Sequence, residues 1–299
     1  MSVCVIFNPA AGRRRAKRRM SRFLATHRHA ATFWPTERAG HAVELARRAA
    51  EEGFTTVAAA GGDGTAHDVA VGLLESGRDV LFAVLPIGSA NDYAHSVAHQ
   101  FGIDSLNDGN GHLVDVGLIR AGGRQRYFIE CVGTGLAGQV TIEASRVAHL
   151  QGVMLYGLAA WRALKHVPSP PDFEFSIDGG PWETHPTLTL SLLIGRREGN
   201  FLLAPEAVLD DGLFDVAHAR KIGRWKALGL LPRLALVGPP RDHPEIRLGR
   251  CARLLVRSPV PLAIHTDGEV FCTPADGVRD LEVEILPRRL RVKVCSLSR

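Results

Sequence analysis

Phe54-Thr55-Thr56-Val57-Ala58-Ala59-Ala60-Gly61-Gly62-Asp63-Gly64-Thr65-Ala66-His67-Asp68-Val69-Ala70-Val71-Gly72-Leu73-Leu74 changes periodicity in its middle. Small apolar residues at 57–60 suit an inner strand, and Ala66, Val69, Ala70, Leu73 and Leu74 recur at helical spacing. The stretch therefore reads as strand, glycine turn and helix. Gly61, Gly62 and Gly64 free the backbone for positive φ and let its N–H groups come close to a ligand. The first N–H groups of the helix have no partner inside it and stand at the positive end of its dipole. Such a turn holds an anion, phosphate foremost. Asp63 opposes a phosphate by charge, and a bridging cation such as Mg²⁺ would reconcile the two. A plainer reading is a turn in which Thr65 caps the helix and Asp63 accepts from nearby N–H groups. No Lys-Ser/Thr pair follows, so the turn is not a Walker A loop, and it is not G-x-G-x-x-G.

The chain has 299 residues, long enough for two cores because single cores stop growing near ~250 residues. No apolar run reaches the ~18 residues that span a bilayer. The first residues lack a basic region and a long apolar run, and read as the opening strand of a cytoplasmic protein rather than a signal peptide. Five cysteines, Cys4, Cys131, Cys251, Cys272 and Cys295, lie apart without C-x-x-C pairs, which argues against a zinc knuckle or a disulfide scaffold. The net charge is +5, with a concentration at Arg13-Arg14-Arg15-Ala16-Lys17-Arg18-Arg19. That run suits an anionic membrane surface or phosphates, and reads equally as the solvated face of a helix. With no zinc-finger or helix-turn-helix signature, nucleic acid is not an expected partner.

In chain order, residues 2–7 form a strand, Asn8-Pro9-Ala10-Ala11-Gly12 a turn, and 13–27 a helix. A weaker strand at 31–34 leads through Thr36-Glu37-Arg38-Ala39-Gly40 to a helix with Val43, Leu45, Ala46 and Ala49 on one side. A strand at 80–85 ends in Pro86-Ile87-Gly88-Ser89-Ala90-Asn91-Asp92. Strands alternating with helices predict a doubly wound parallel sheet, whose ligands gather at the carboxyl ends of the strands. Near residue 113 the pattern changes. Strands at 112–119 and 125–132 flank the turn at 121–124, and a helical segment covers 137–167. Strands resume at 173–177, 187–194, 213–219, 245–248, 252–257, 262–265 and 281–286. The expected organisation is an N-terminal doubly wound α/β domain over 1–112, carrying the phosphate turn, and a mainly antiparallel β-sandwich domain over 113–286. The sandwich carries the helical insert, and the tail 287–299 packs back on the first domain. Gly133-Thr134-Gly135-Leu136-Ala137-Gly138 is a literal G-x-G-x-x-G after a strand. The acidic residue a dinucleotide fingerprint needs about 20 positions on is missing, and flexible backbone is the preferred reading.

Taken together, the motifs resemble the bacterial diacylglycerol kinase-type lipid kinase family, related to sphingosine kinases and NAD kinases, over nearly the whole chain. Gly61-Gly62-Asp63-Gly64-Thr65 is similar to its GGDGT signature. Asn8 to Gly12 resembles its opening turn, Thr36 its threonine near the nucleotide, and 85–92 its Leu-Pro-x-Gly-Thr-x-Asn-Asp segment, with Ser89 in the threonine place. The resemblance implies an ATP site built from Asn8, Thr36, Gly61, Gly62, Asp63, Gly64, Thr65, Ala66, His67, Ser89 and Asn91. It implies a structural Mg²⁺ held by the Asp211 carboxylate and the carbonyls of Val208 and Leu213, an oxygen-only set that suits this cation. It also makes Asp267-Gly268-Glu269 the acidic catalytic motif, Asp267 or Glu269 being the base that takes the proton of the attacking hydroxyl. His67 replaces the usual Asn, His41 the common Asp, and Ser89 the usual Thr.

The implied activity is ATP-dependent phosphorylation of a lipid hydroxyl, as in diacylglycerol. The nucleotide would lie on the N-terminal sheet and the lipid would come from the second domain. The alternatives are an NAD kinase-like or other soluble-acceptor kinase and a catalytically silent nucleotide or lipid sensor. Peripheral contact with a membrane surface is expected, with 13–19, Trp161 and Phe201 as candidate contacts, and the chain is compatible with a homodimer.

Overall fold

A computed structural model describes residues 2–9, 21, 23, 31–88, 90–106, 110–147, 152–164 and 169–295. Of the expected helix at 13–27 only residues 21 and 23 are described, and the basic run at 13–19 and Ser89 lie outside the described residues. The chain divides into two compact units, residues 1–115 with 287–299, and residues 116–286.

The first unit is built on a parallel sheet. β1 (Val3–Phe7), β2 (Thr32–Pro35), β3 (Thr56–Gly61) and β4 (Leu81–Pro86) lie in the order β2-β1-β3-β4. Val3, Val5, Ala58, Ala60, Ala83 and Leu85 share one buried cluster. Their neighbours Cys4, Ile6, Val57, Ala59, Phe82 and Val84 are buried as well. A parallel strand covered on both faces carries near-continuous small apolar sequence, which explains why 57–60 shows no alternation. The helices His41–Glu51 and Asp63–Ser76 pack closely, since a Cβ at Gly72 would stand 2.3 Å from the Val43 carbonyl oxygen. The helix Asp92–Phe101 follows β4. Residues 292–294 of the last strand pair in parallel with β4. There the buried Lys293 donates to the Ser105 carbonyl at 2.7 Å, a satisfied burial of a cation.

The second unit is antiparallel. β5 (His112–Ala121), which enters from the first unit, pairs with β6 (Arg124–Phe128) through the expected turn at 121–124. β7 (Cys131–Gly135) precedes the helices Leu136–Ser145 and Gly152–Ala163. Then come β8 (Asp172–Ile177), β9 (Glu183–Pro186), β10 (Thr189–Leu193), β11 (Arg197–Glu198), β12 (Phe201–Leu202) and β13 (Phe214–Ala219). The helix Arg224–Leu236 leads to β14 (Ile246–Cys251), β15 (Arg253–Arg257), β16 (Ile264–Thr266), β17 (Glu269–Cys272) and β18 (Asp280–Val294). One sheet runs β14-β13-β10-β7-β16-β17, and β18, β15, β8 and β9 belong to the other. Rings cross between them: Phe128 stacks on Phe214 at 5.7 Å, and Phe175 lies 5.2 Å from His218. This is the expected β-rich unit with its helical insert.

Three local expectations change. The single strand at 125–132 is two strands, broken at Ile129 and Glu130, whose N–H groups bond to a distant carboxylate. The single helical segment at 137–167 is two helices among the described residues. The helix Arg224–Leu236 was not anticipated, because Gly229 and Pro232 interrupt its helical signal.

Candidate functional site

In the first unit the strand ends are aligned. Phe7 pairs with Pro35 and Ala60, and Gly61 pairs with Pro86, so the following residues emerge in one row. Asn8 donates its N–H to the Ala60 carbonyl and Thr36 to that of Phe7. Ile87 and Gly88 both donate to the Gly61 carbonyl. Asn8, Thr36, the turn at 61–65, Gly88 and Asn91 are thereby brought to the carboxyl edge of the sheet, where an α/β fold binds ligands.

Two close approaches shape this edge. A Cβ on Gly61 would stand 2.3 Å from the Thr65 hydroxyl oxygen, and one on Gly88 would stand 2.4 Å from the Gly62 Cα. The two turns are thus in backbone contact, which only glycine permits. Asn91, with φ of 53°, precedes the helix Asp92–Phe101 and donates from its side chain to the Gly88 carbonyl at 2.9 Å.

Asp63 does not reach outward. Its Oδ2 accepts the Asn91 N–H at 2.8 Å, and its Oδ1 that of Tyr93 at 3.4 Å. Burial raises its pKa, opposed by the main-chain donors of Tyr93, Asn91 and Asp92. The carboxylate expected to bridge to a phosphate through a cation is thus held by main-chain donors at the start of the next helix. Ala66 spends its N–H on the Gly62 carbonyl, and His67 is buried within the helix. Both lie past the turn that offers donors, which spans residues 62–65.

In the second unit Asp267 and Gly268 form the turn between β16 and β17, and Glu269 opens β17. Asp267, 9% exposed and with φ of 49°, accepts three main-chain N–H groups. Ile129 donates to Oδ2 at 2.9 Å, and Glu130 and Cys131 donate to Oδ1 at 2.8 and 2.9 Å. The turn is therefore anchored through its aspartate, while Glu269 is exposed. Arg126 donates to the Thr266 hydroxyl at 3.4 Å, putting a cation beside the motif.

Gly268 lines an apolar cavity of about 170 Å³. Leu136, Val140, Leu188, Ala217, Leu230 and Leu234 build much of its wall. Thr189, Ser191, Glu198 and His265 give it a polar side. Glu198 Oε1 lies 3.0 Å from His265 Nε2. Burial acts to raise the Glu198 carboxyl, but the facing His265 outweighs it and holds the acid below its usual range. Sequence reasoning missed this pair, since the two residues are 67 positions apart and neither sits in a motif.

The G-x-G-x-x-G at 133–138 serves packing. A Cβ on Gly133 would meet His265 Nε2 at 2.3 Å, one on Gly138 the Ala263 carbonyl oxygen at 2.1 Å, and Gly135 has φ of 71°. Its glycines let β7 and the following helix approach β16, so close contact replaces the flexible backbone expected there.

The carboxylate expected to hold Mg²⁺ is engaged by protein donors in this structure. Asp211 Oδ1 accepts the Leu213 N–H at 3.1 Å, and Oδ2 pairs with Arg250 at 3.3 Å. Arg250 also pairs with Asp215 at 3.3 Å and donates to the Glu206 carbonyl. A guanidinium already neutralises the one carboxylate of the set, and Val208 and Leu213 contribute only main-chain carbonyls. Among the described residues no group of three or more His, Cys, Asp or Glu could hold a metal.

Comparison with known proteins bears on both units. Residues 2–119 match the diacylglycerol kinase catalytic domain, and residues 130–294 match the YegS C-terminal NAD kinase beta sandwich-like domain. A diacylglycerol kinase of Staphylococcus aureus (strain bovine RF122 / ET3-1) is 28% identical over 273 residues, 89% of this chain and 85% of that protein. The crystal structure of a diacylglycerol kinase from Bacillus anthracis strain Sterne matches with a TM-score of 0.69 at 16% identity, covering 97% of this chain and 96% of that one. A further solved structure from the same organism reaches 0.74 at 19% identity with the same coverage. At these identities the solved structures show the fold.

Proposed function

Because the chain belongs to the family with a diacylglycerol kinase catalytic domain and a YegS C-terminal NAD kinase beta sandwich-like domain, we propose that it transfers the γ-phosphoryl group of ATP to a hydroxyl of a lipid such as diacylglycerol. The observation that carries the lipid reading is Gly268: the residue between the two acids of the motif lines an apolar cavity. An acceptor with a hydrocarbon body would sit with its chain in that cavity and its hydroxyl at the acids. At about 170 Å³ the cavity is comparable to the ~150 Å³ engineered cavity that takes up benzene, so it suits a short stretch of one chain. The polar side, with Thr189, Ser191 and the Glu198–His265 pair, offers hydrogen bonds to a head group. A wholly water-soluble acceptor would leave the apolar wall without a use.

Phosphoryl transfer asks a protein mostly for positioning and charge neutralisation. The N–H groups at 62–65 would hold the phosphates, with the Asp63 carboxylate partly offset by the donors at 91 and 93. In the second unit we assign the base to Glu269. It is the exposed acid of the motif, whereas the Asp267 carboxylate is engaged by three N–H groups and acts as a positioning residue. Arg126 beside Thr266 supplies positive charge near the motif. Incubating the protein with labelled ATP, Mg²⁺ and a panel of mono- and diacylglycerols, sphingoid bases and glycerol tests the reading. Label in the lipid fraction is the expected result, and label in glycerol alone would sink it.

A further inference from the structure

The helix Arg224–Leu236 contains five leucines and a tryptophan, yet none of its residues is buried. At about 100° per residue, Ala227, Leu230, Leu231 and Leu234 share one face. All four line the apolar cavity. Trp225, Pro232 and Leu236 fall on the opposite face. There Trp225 is 74% and Leu236 80% exposed, and Val237, one residue beyond, is 58% exposed. Arg233 and Lys226 stand on one side between the outer and inner faces, and Arg224 stands on the other, beside Leu231. Residues 220–241 hold six cations and no acid.

Isolated apolar residues on a surface need no explanation, but this set is graded. An indole, a leucine and a valine face outward between cations, on an element whose inner face walls an apolar cavity. That is the make-up of a helix lying in the headgroup region of a bilayer, where Trp and Leu enter the acyl boundary and Lys and Arg meet anionic headgroups. A second copy of the chain fits poorly, since self-association through this face would bring like charges together. The core of a protein interface is also depleted in lysine.

We propose that the helix Arg224–Leu236 docks the second unit on an anionic lipid surface, its outer face in the bilayer interface and its inner face forming the cavity wall. A lipid chain then passes from bilayer to cavity along this helix without crossing bulk water. The occupant of the cavity rests on the lipid-kinase reading above, and the docking itself does not.

The test is co-sedimentation of the full chain with phosphatidylcholine vesicles, with and without phosphatidylglycerol. Wild type, the pair Trp225→Ser/Leu236→Ser and the pair Lys226→Glu/Arg233→Glu are compared. All four side chains lie off the cavity-lining face, so the fold and the turnover of a short-chain, monomeric lipid should stay within about twofold. Wild type should bind phosphatidylglycerol vesicles in a salt-sensitive way, and each pair should bind at least ~10-fold more weakly. Unchanged binding by both pairs, equal binding of wild type to uncharged vesicles, or a wild-type dimer that Trp225→Ser/Leu236→Ser dissolves would overturn the proposal. Vesicle binding that depends on these residues in a protein unable to phosphorylate any lipid supports the docking and removes the kinase reading instead.

Discussion

The carboxylate of Asp267 accepts the main-chain N–H of Glu130 at 2.8 Å, tying the acidic turn to the break between β6 and β7. With Ile129 and Cys131 as further donors, this is a charge-assisted anchor, the stronger class of hydrogen bond. It divides the two acids of the motif by role. Asp267→Asn should lower stability by about 2–3 kcal/mol, because an amide brings donors to face donors. Glu269→Gln should leave the urea midpoint unchanged and lower turnover by at least ~100-fold. Melts and initial rates on both variants check this, and a fully active Glu269→Gln enzyme would remove Glu269 as the base.

Gly88→Ala examines the contact of the turns at Gly62 and Gly88. The new methyl would stand 2.4 Å from the Gly62 Cα, a backbone atom, so the turns must separate. A cost of about 1–3 kcal/mol is expected, together with weaker ATP binding. Calorimetry on the variant reads both. Wild-type melting and wild-type ATP affinity would mean that the contact does not matter.

The pH dependence of stability should carry a His218 component. Burial, with His185 and Arg220 nearby, lowers its pKa from 6.5 to about 4. A folded pKa below the unfolded one means that the native state binds fewer protons. The stability is present above pH 6.5 and is lost as the pH falls toward 4. The shift corresponds to roughly 3 kcal/mol before allowance for partial solvent access. Urea melts between pH 7 and pH 4 should show a loss that His218→Gln lacks. Parallel curves for the two proteins would contradict the assignment.

Chelation should leave the melting temperature of the ligand-free protein unchanged, because Arg250 rather than a metal neutralises Asp211. Arg250→Ala should cost roughly 0.5–1 kcal/mol, the range of a partly exposed ion-pair network. A fall in wild-type melting on adding EDTA would restore a bound cation at 208–213.

What the sequence revealed follows the reach of each interaction. The strand ends of β1 to β4 were readable because glycine turns and a switch of period are local, and parallel pairing then aligns Asn8, Thr36, Gly61 and Gly88. The role of Asp267 was hidden because its partners lie 136 to 138 positions away. The glycines at 133–138 were read as flexible backbone because the need for close approach to Ala263 and His265 appears only once β7 and β16 pair. The main-chain partners of Asp63 were hidden because the N–H groups of Asn91 and Tyr93 belong to the next strand-turn-helix unit. The helix Arg224–Leu236 escaped notice because Gly229 and Pro232 break up its local helical pattern.

The central claim is that a lipid chain occupies the cavity beside Gly268. Ala217→Phe fills that cavity from β13, and steady-state kinetics with labelled ATP and a dispersed diacylglycerol read the outcome. The account expects the KM for lipid to rise at least ~10-fold, with the KM for ATP and the melting temperature close to wild type. Unchanged lipid kinetics in a folded Ala217→Phe variant would contradict it.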